Sequence, residues 1–538
     1  MIRRPTGTGA LGRRALLTSS TAALALATLV GRRTYAAGTH WADRPAARVE
    51  RLNFVVWTYG DIYTKISKKF ADDWGVAVDS TISSFNDHPT KLMTMYAGGE
   101  TVDVSQSSPF SFPNYITQGL VEPLDGLPGA DEYQKDFTES AKQVGVVDSK
   151  LMGLPYFSTV WVWNYYTDLM EKAHFEPFKT YDEMLEQCRK AKKDGICDYP
   201  ILWVAGVGLE QLPGTWYQMT WNRGGVFFDK AGNHQLGPGS IARETLKWWI
   251  QTFTEQLVDP ESLKVQFTTS AKVFAAGKNI YRGPNHHYGL NIVNDPKQSP
   301  IAGKVKVMGS PGDGKTIGDT HVYFLCSANR DKEWAWKLLQ YLGGRTKDGV
   351  YTQADNLARD AMLGSGYASV MKSAAITEGW KPWGEPEKIL EIWDKAIYVG
   401  EMCNSIYKPW HYPWTDRVNI EVQKALTGQI TADQCCDTLI AAIKEVQKKL
   451  SALEADHDSG GVVPAAPKRR GRAELSAGKL GVVMNLPTLA LVLAYPIGYA
   501  AYLSFHKVTP AELRRGVFPS VGLGNYQRIL SDRCSSWR

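Results

Sequence analysis

Residues 52–82 read LNFVVWTYGDIYTKISKKFADDWGVAVDSTI, and the patterning of this stretch changes twice. Leu52–Trp57 is a short apolar run that ends in the loop TYGD. Ile62, Ile66, Phe70 and Trp74 then recur at four-residue spacing, the period of one helix face. Val76–Ile82 turns to alternation of apolar and polar residues, which predicts a strand with one buried face. Asp87 is placed to cap the next helix, with Pro89 near its first turn. Val102–Val104 predicts a third strand before Phe112–Leu120. Strand, helix, strand, helix, strand at this spacing predicts an α/β layer with a mostly parallel sheet. Ligands bind such sheets beyond the carboxyl ends of the strands. The loops Trp57–Asp61, Ser83–Asp87 and Gln106–Phe110 are therefore expected to converge on one edge.

The pattern then restarts. Tyr156–Tyr166 is aromatic and extended, Tyr181–Lys193 is helical, Ile201–Val204 is apolar, and helices are expected at Arg243–Thr254 and Ser270–Ala276. A helix-rich stretch follows at Lys332–Gly343, Pro386–Val399 and Val418–Leu453, the last with Thr431 as an N-cap. Two lobes meeting at crossovers is the economical reading of a chain of 538 residues.

Charge is unevenly distributed. The first 36 residues carry six arginines and no acid, and residues 468–538 carry eleven Lys/Arg against three Asp/Glu. The formal charge of +6 for the whole chain thus hides a net −8 for residues 37–467. An acidic body argues against a nucleic-acid partner, because phosphate neutralisation needs clustered Lys and Arg.

Residues 309–316, GSPGDGKT, fit the phosphate-loop pattern G-x-x-x-x-G-K-[ST]. That loop must leave a strand and enter a helix whose N-terminus holds the phosphates. Lys304–Met308 reads as a strand, but Ile317–Cys326 (IGDTHVYFLC) reads as a second strand. The motif is therefore read as a turn.

Both ends read as targeting or membrane segments. Arg13-Arg14 precedes the apolar run Ala22–Val30 and the small residues Ala36-Ala37-Gly38, so residues 1–36 read as a twin-arginine-type signal peptide and the body as exported. Residues 457–479 form a Gly/Pro-containing basic linker. Residues 480–505 contain no charge and exceed the roughly 20 residues that span a bilayer, which predicts a single transmembrane helix. Cys188, Cys197, Cys326, Cys403, Cys435, Cys436 and Cys534 show no metal-ligand spacing, although Cys188 and Cys197 are free to pair. His286-His287 is the best lone candidate for a ligand, without partners at ligand spacing; no metal and no cofactor is assigned.

Gly153-Leu154-Pro155-Tyr156, then NYYTDLMEKA (164–173), then Thr180–Leu185 (TYDEML) resemble three successive blocks of the family 1 extracellular solute-binding proteins of ABC transporters, sugar type. So do Gly224-Gly225 to Asp229, FAAGK at 274–278, Gly318–Ser327 and LTGQITADQ at 426–434, the similarity covering about residues 50–455. Tyr166 departs from the pattern, standing where the family usually has Asn. The resemblance implies an α/β, two-lobed periplasmic binding protein fold (type II) over residues 48–456, closing on a solute between its lobes. Lobe 1 would comprise about 48–156 and 305–325, and lobe 2 about 160–303 and 328–456, with crossovers near Pro155–Thr159, Lys304–Met308 and Val322–Ser327. The tail, about 480–532, resembles the start of a sugar-type ABC permease subunit, with 506–538 reading as a truncated permease-like segment. Lys468, Arg469, Arg470, Arg472 and Lys479 favour a cytoplasmic N-side for that helix, in conflict with an exported body.

The function implied is a non-enzymatic periplasmic capture of a carbohydrate or polyol for an ABC permease and its ATPase, with membrane attachment through the C-terminal helix. With 18 Trp and 25 Tyr, many in apparent loops, the chain has flat faces to stack on sugar rings, while polar side chains bind hydroxyls. Family position and loop placement together put ligand contacts at Trp57, Tyr59, Ser107, Tyr156, Trp216, Tyr217, Arg282, Asn285, Asp319, Trp410 and Trp414. At Asn285, related sugar binders often have Trp, which points to a smaller or more polar ligand. Thr320 and His321 lead into a strand beside Asp319 and face either the cleft or a satisfied turn. Two alternatives stand beside this reading: a phosphorylated or charged solute such as a glycerol phosphodiester or polyamine, and an exported glycoside hydrolase with paired carboxylates.

Overall fold

The structure is a computed structural model that describes residues 40–57, 62–208, 211–408 and 410–458. The expected signal peptide, the transmembrane helix, the permease-like segment, nearly all of the linker and Tyr59 lie outside them. Among the described residues no helix is long and apolar enough to cross a membrane.

The opening stretch folds as its patterning requires. Strands β1 (Arg51–Trp57), β2 (Ala77–Ser83) and β3 (Val104–Ser107) pair in parallel, with β1 between the other two. The helix Ile62–Trp74 buries Ile66, Phe70 and Trp74. The next helix, His88–Ala97, has Asp87 at its N-cap position and Pro89 in its first turn. Asp87 does not cap it through its side chain, because that carboxylate instead accepts from Ser84 Oγ at 2.6 Å.

The long strand β4 (Leu154–Tyr166) links the two lobes, and the second lobe adds β5 (Ile201–Trp203), β6 (Tyr281–His286) and β7 (Val305–Met308). The chain returns along β8 (Thr316–Cys326). The resulting sheet runs β2-β1-β3-β8-β4-β6-β5, with β8 antiparallel to both β3 and β4. At about 3.3 Å per residue, the 13-residue β4 and the 11-residue β8 are each long enough to belong to both lobes.

Two expectations are corrected here. Lys304–Met308 is not a crossover, because β7 has four residues and pairs with Trp163–Tyr166 at the second-lobe end of β4. The helix Lys332–Gly343, expected in lobe 2, packs on the first lobe: Trp334, Leu338 and Leu342 share one core with Leu52, Phe54, Phe70 and Leu325. Its apolar residues cover the face of β1 and β8 that would otherwise be left in water.

The second lobe gathers the helices Tyr181–Lys193, Gln211–Asn222, Ile241–Thr254, His411–Leu426 and Ala432–Asp458. Thr180 caps the first by accepting from Glu183 N at 3.0 Å, an interaction typically worth ~1 kcal/mol. Thr431 caps the last, in a reciprocal arrangement: its Oγ1 accepts from Gln434 N at 3.1 Å while its own N–H donates to Gln434 Oε1 at 2.9 Å. The six cysteines among the described residues are buried and free. Cys188 and Cys197 are therefore unpaired, and Cys197 Sγ donates to Lys278 O at 2.9 Å.

Candidate functional site

The carboxyl end of β1 delivers Trp57 to the space between the lobes. Its carbonyl accepts from Gln106 Nε2 at 3.1 Å, and Gln106 Oε1 in turn accepts from Tyr63 OH at 3.0 Å, so strand end and helix are tied together. The indole meets Phe85 edge-on at 5.1 Å, His88 at 4.9 Å and His321 at 5.6 Å. Phe85 follows β2 directly, as expected of a parallel sheet whose loops converge past the strand ends.

Opposite them lies the start of the helix Phe267–Phe274, where Gln266 N donates to Thr269 Oγ1 at 2.9 Å. Together the two sides enclose a cavity of about 210 Å³. Trp57, Phe85 and His321 line it from one side, and Gln211, Gln266–Thr269, His286 and Tyr288 from the other. Four of these side chains are aromatic hydrocarbon faces and the remainder are uncharged polar groups or imidazoles, the composition of a site for a small polar molecule.

Beneath the cavity, Asp319 is fully buried between two histidines. Its Oδ1 lies 3.0 Å from His321 Nε2 and its Oδ2 lies 3.0 Å from His286 Nε2. Burial by itself would raise the Asp319 pKa; His321 and His286 outweigh it and hold the carboxyl well below the usual range. Burial pushes the His286 pKa down, against the pull of Asp319. Each imidazole is clamped by a stacked ring: His286 on Phe267 at 3.8 Å and 16°, His321 on Phe157 at 4.2 Å and 24°.

Residues 52–346, more than half the chain, match the family described as bacterial extracellular solute-binding proteins. The chain belongs to this family. A candidate binding protein of Brucella abortus (strain 2308) is 25% identical over 304 residues, covering 55% of this chain and 71% of its own. Among solved structures, maltose-bound MalE3 of T. maritima shares the fold at a TM-score of 0.63 and 20% identity, over 74% of this chain and 99% of that one. The solute-binding protein of an ABC transporter from Agrobacterium vitis S4, with bound D-mannitol, matches equally, at 0.63 and 20% over the same shares.

In this solute-binding protein the expected ligand residues divide. Trp57 lines the cavity, and Asp319 supports it through His286 and His321. The rest of the described candidates do not line this cavity. Trp216 is buried in the second-lobe core and donates its Nε1–H to Ala242 O at 3.0 Å; Tyr217 packs on Phe227 at 4.6 Å. Trp410 and Trp414 pack on Phe228 at 4.8 and 4.9 Å. These rings pack edge-on or tilted against one another, filling the large apolar interior that the second-lobe helices need. Tyr156 stacks on Tyr323 at 4.0 Å in the first-lobe core, and Ser107 Oγ is turned back to Ser108 O at 3.1 Å.

Arg282 and Asn285 likewise face the interior. The Arg282 guanidinium donates to Ser270 Oγ at 2.9 Å, Asn164 Oδ1 at 2.6 Å and Phe267 O at 2.9 Å. Asn285 Nδ2 donates to Val162 O at 3.2 Å, bracing β6 against β4. The residues that sequence reading did not assign to the ligand are Phe85, Gln211, Gln266–Thr269, His286, Tyr288 and His321. Phe85 lies in a loop expected at this edge, the sequence places His321 at either the cleft or a turn, and it offers His286 only as a metal ligand. The Gln and Thr residues carry no sequence signal.

A larger cavity, about 790 Å³, lies against the GSPGDGKT turn between β7 and β8. Its charged side chains, Lys179, Lys388, Lys395, Glu391 and Asp394, are all exposed. The turn leads from strand to strand as expected, so it does not run into the helix that the phosphate-loop motif requires. Lys315 sits 3.6 Å from Asp313 and over the Trp221 ring. Size alone does not make this groove the site; the smaller cavity has both lobes, both kinds of surface and buried polar groups.

Proposed function

We propose that this protein is the exported capture component of an ABC import system, closing its lobes on a neutral carbohydrate or polyol and presenting it to a membrane permease. The observation that carries the reading is the lining of the interlobe cavity: Trp57, Phe85, Phe267 and Tyr288 as stacking faces, with Gln, Thr and His as hydrogen-bonding partners. Sugars and polyols combine C–H faces with hydroxyls and match that mixture. The maltose and D-mannitol named for the solved relatives are of the same chemical kind. The strand order β2-β1-β3-β8 supports the type II form of the fold.

At about 210 Å³, the cavity holds roughly seven water volumes of about 30 Å³, which suits one small ligand rather than an oligosaccharide. Closure follows if the solute touches both sides, since differential affinity for the closed form shifts the population. A charged solute fits less well, because no Lys or Arg is among the described lining residues and the carboxylate of Asp319 lies against two of them, His286 and His321. A glycosidase needs two carboxylates flanking the bond, and none is among the described residues that line this cavity.

Export by residues 1–36 and attachment through residues 480–505 remain part of the proposal. Titrating the full chain with sugars, polyols and phosphate esters while following Trp fluorescence tests the ligand class. Saturable quenching by a neutral sugar or polyol is expected; turnover of a glycoside, or a response to phosphate esters alone, contradicts it.

A further inference from the structure

A second cavity, of about 400 Å³, lies on the other face of the strands that join the lobes. Strand β8 separates it from the ligand cavity, because successive side chains of a strand point to opposite faces. Asp319 faces His286 and His321, 3.0 Å from each Nε2, and both rings line the ligand cavity. Its neighbours in sequence turn the other way. Thr320 Oγ1 lies 3.1 Å from Ser140 Oγ, and a Cβ at Gly318 would lie 3.5 Å from Ser140 Cβ and 3.0 Å from Ala396 Cβ. Ser140 and Ala396 line the second cavity.

The walls of this second cavity come from both lobes. Ser140 and Ala368 stand on the first, since the adjacent Ala141 and Tyr367 share a core with Leu52 and Phe54. Leu390 and Trp393 stand on the second, packed against the core that holds Leu202, Val305 and Val307. The consecutive histidines tie the second-lobe walls of the two cavities together. His286 lines the ligand cavity, whereas His287 meets Trp393 at 5.3 Å and sets its Nδ1 2.8 Å from Thr159 Oγ1 on β4.

The joining strands run between the two cavities, so a rotation that brings the lobes together over one draws them apart over the other. We propose that the second cavity is a counter-cleft: it widens as the ligand cavity closes, and its filling sets the balance between open and closed lobes. The proposal rests on reading the first cavity as the ligand cleft, but the opposed movement has a readout that needs no ligand. A bulky side chain in the second cavity resists its narrowing and so holds the ligand cavity closed. Ala368→Phe supplies one from the first lobe, and Ala396→Leu a smaller one from the other wall. Neither residue lines the ligand cavity.

Pulsed electron paramagnetic resonance on spin-labelled full chain measures both movements. Cys534→Ser removes the one cysteine beyond the six buried ones. Lys91→Cys with Lys272→Cys, both exposed, labels the helices that begin on the two sides of the ligand cavity. Glu139→Cys with Asp394→Cys, also exposed, labels the two rims of the second cavity.

The expected result is movement in opposite senses. In Ala368→Phe without ligand the first pair shortens and the second lengthens, and Ala396→Leu shifts both the same way by less. Saturating D-mannitol or maltose repeats the movement where neither cavity wall is altered. Calorimetry should find the bound sugar or polyol held roughly threefold more tightly, or better, by Ala368→Phe, since apparent affinity follows the closed fraction. Both pairs moving in one sense, or distances unmoved in the two folded variants, overturns the counter-cleft alone. Silence from every neutral sugar and polyol, with the ligand-free distances moving as stated, overturns the proposed function alone.

Discussion

Arg282 donates to Asn164 Oδ1 at 2.6 Å, joining β6 to the strand that links the two lobes. The guanidinium is fully buried with no carboxylate against it among the described residues, and burial pulls its pKa down to about 9. Three neutral acceptors hold it in place.

Arg282→Met, close in volume, removes the donors and strands the acceptors. Each stranded group costs about 1–3 kcal/mol, partly offset by relief of the buried charge, so a net loss of about 2–4 kcal/mol is expected. Urea unfolding measures it. Ligand affinity should stay within twofold where the variant is folded; a large loss of affinity at unchanged stability would return Arg282 to the ligand.

The aromatic residues separate by the same kind of comparison. Trp57→Leu removes a lining face and should weaken the bound sugar or polyol roughly tenfold, corresponding to about 1.4 kcal/mol of stacking. Trp414→Phe acts within the second-lobe core and should lower stability while leaving affinity unchanged. Titrations of both variants showing the reverse order would contradict the assignment of the site.

Stability should depend on pH through buried histidines. Burial drives the pKa of His88 and His411 from 6.5 to about 4, and that of His287 to about 3. Below pH 6.5 the unfolded chain takes up protons that the folded chain refuses. These groups therefore cost nothing above pH 6.5, and stability is lost as the pH falls from 6.5 toward 4. At ~1.4 kcal/mol per pKa unit, each contributes a loss of up to about 3 kcal/mol. Urea midpoints at pH 7.5, 6.0 and 4.5 should fall in that order, and a flat profile would show that these rings titrate normally in the fold.

Lys315→Ala should leave ligand affinity within twofold and stability within about 0.5 kcal/mol, because the side chain is half exposed and its contacts, Asp313 and the Trp221 ring, lie outside the interlobe cavity. ATP binding by the unaltered protein in a filter assay would revive the phosphate-loop reading.

The lobes were legible because their strands and helices carry distinct periods. LNFVVW, the four-residue repeat to Trp74 and the IGDTHVYFLC strand all fold as the patterning requires. Lobe membership after residue 328 was less legible. The apolar stripe of Lys332–Gly343 announces a buried face without naming the sheet it covers. Of the residues expected to touch ligand, strand ends and family position put Trp57 at the interlobe cavity and Asp319 beside two of its histidines. Trp216, Tyr217, Trp410 and Trp414 lie away from that cavity, and residue type does not distinguish a ring that faces a cavity from one that packs against another ring. Gln211 and Thr268 were beyond reach, since chain segments distant in sequence bring them to the cavity.

Calorimetric titration of the full chain with D-mannitol, ribitol, maltose and their phosphate esters tests the central claim most directly. The expected result is one-to-one binding of at least one neutral member, with its phosphate ester at least 100-fold weaker. Saturable binding confined to the phosphate esters, or no heat from any neutral sugar or polyol, would contradict capture of a neutral polyhydroxylated solute.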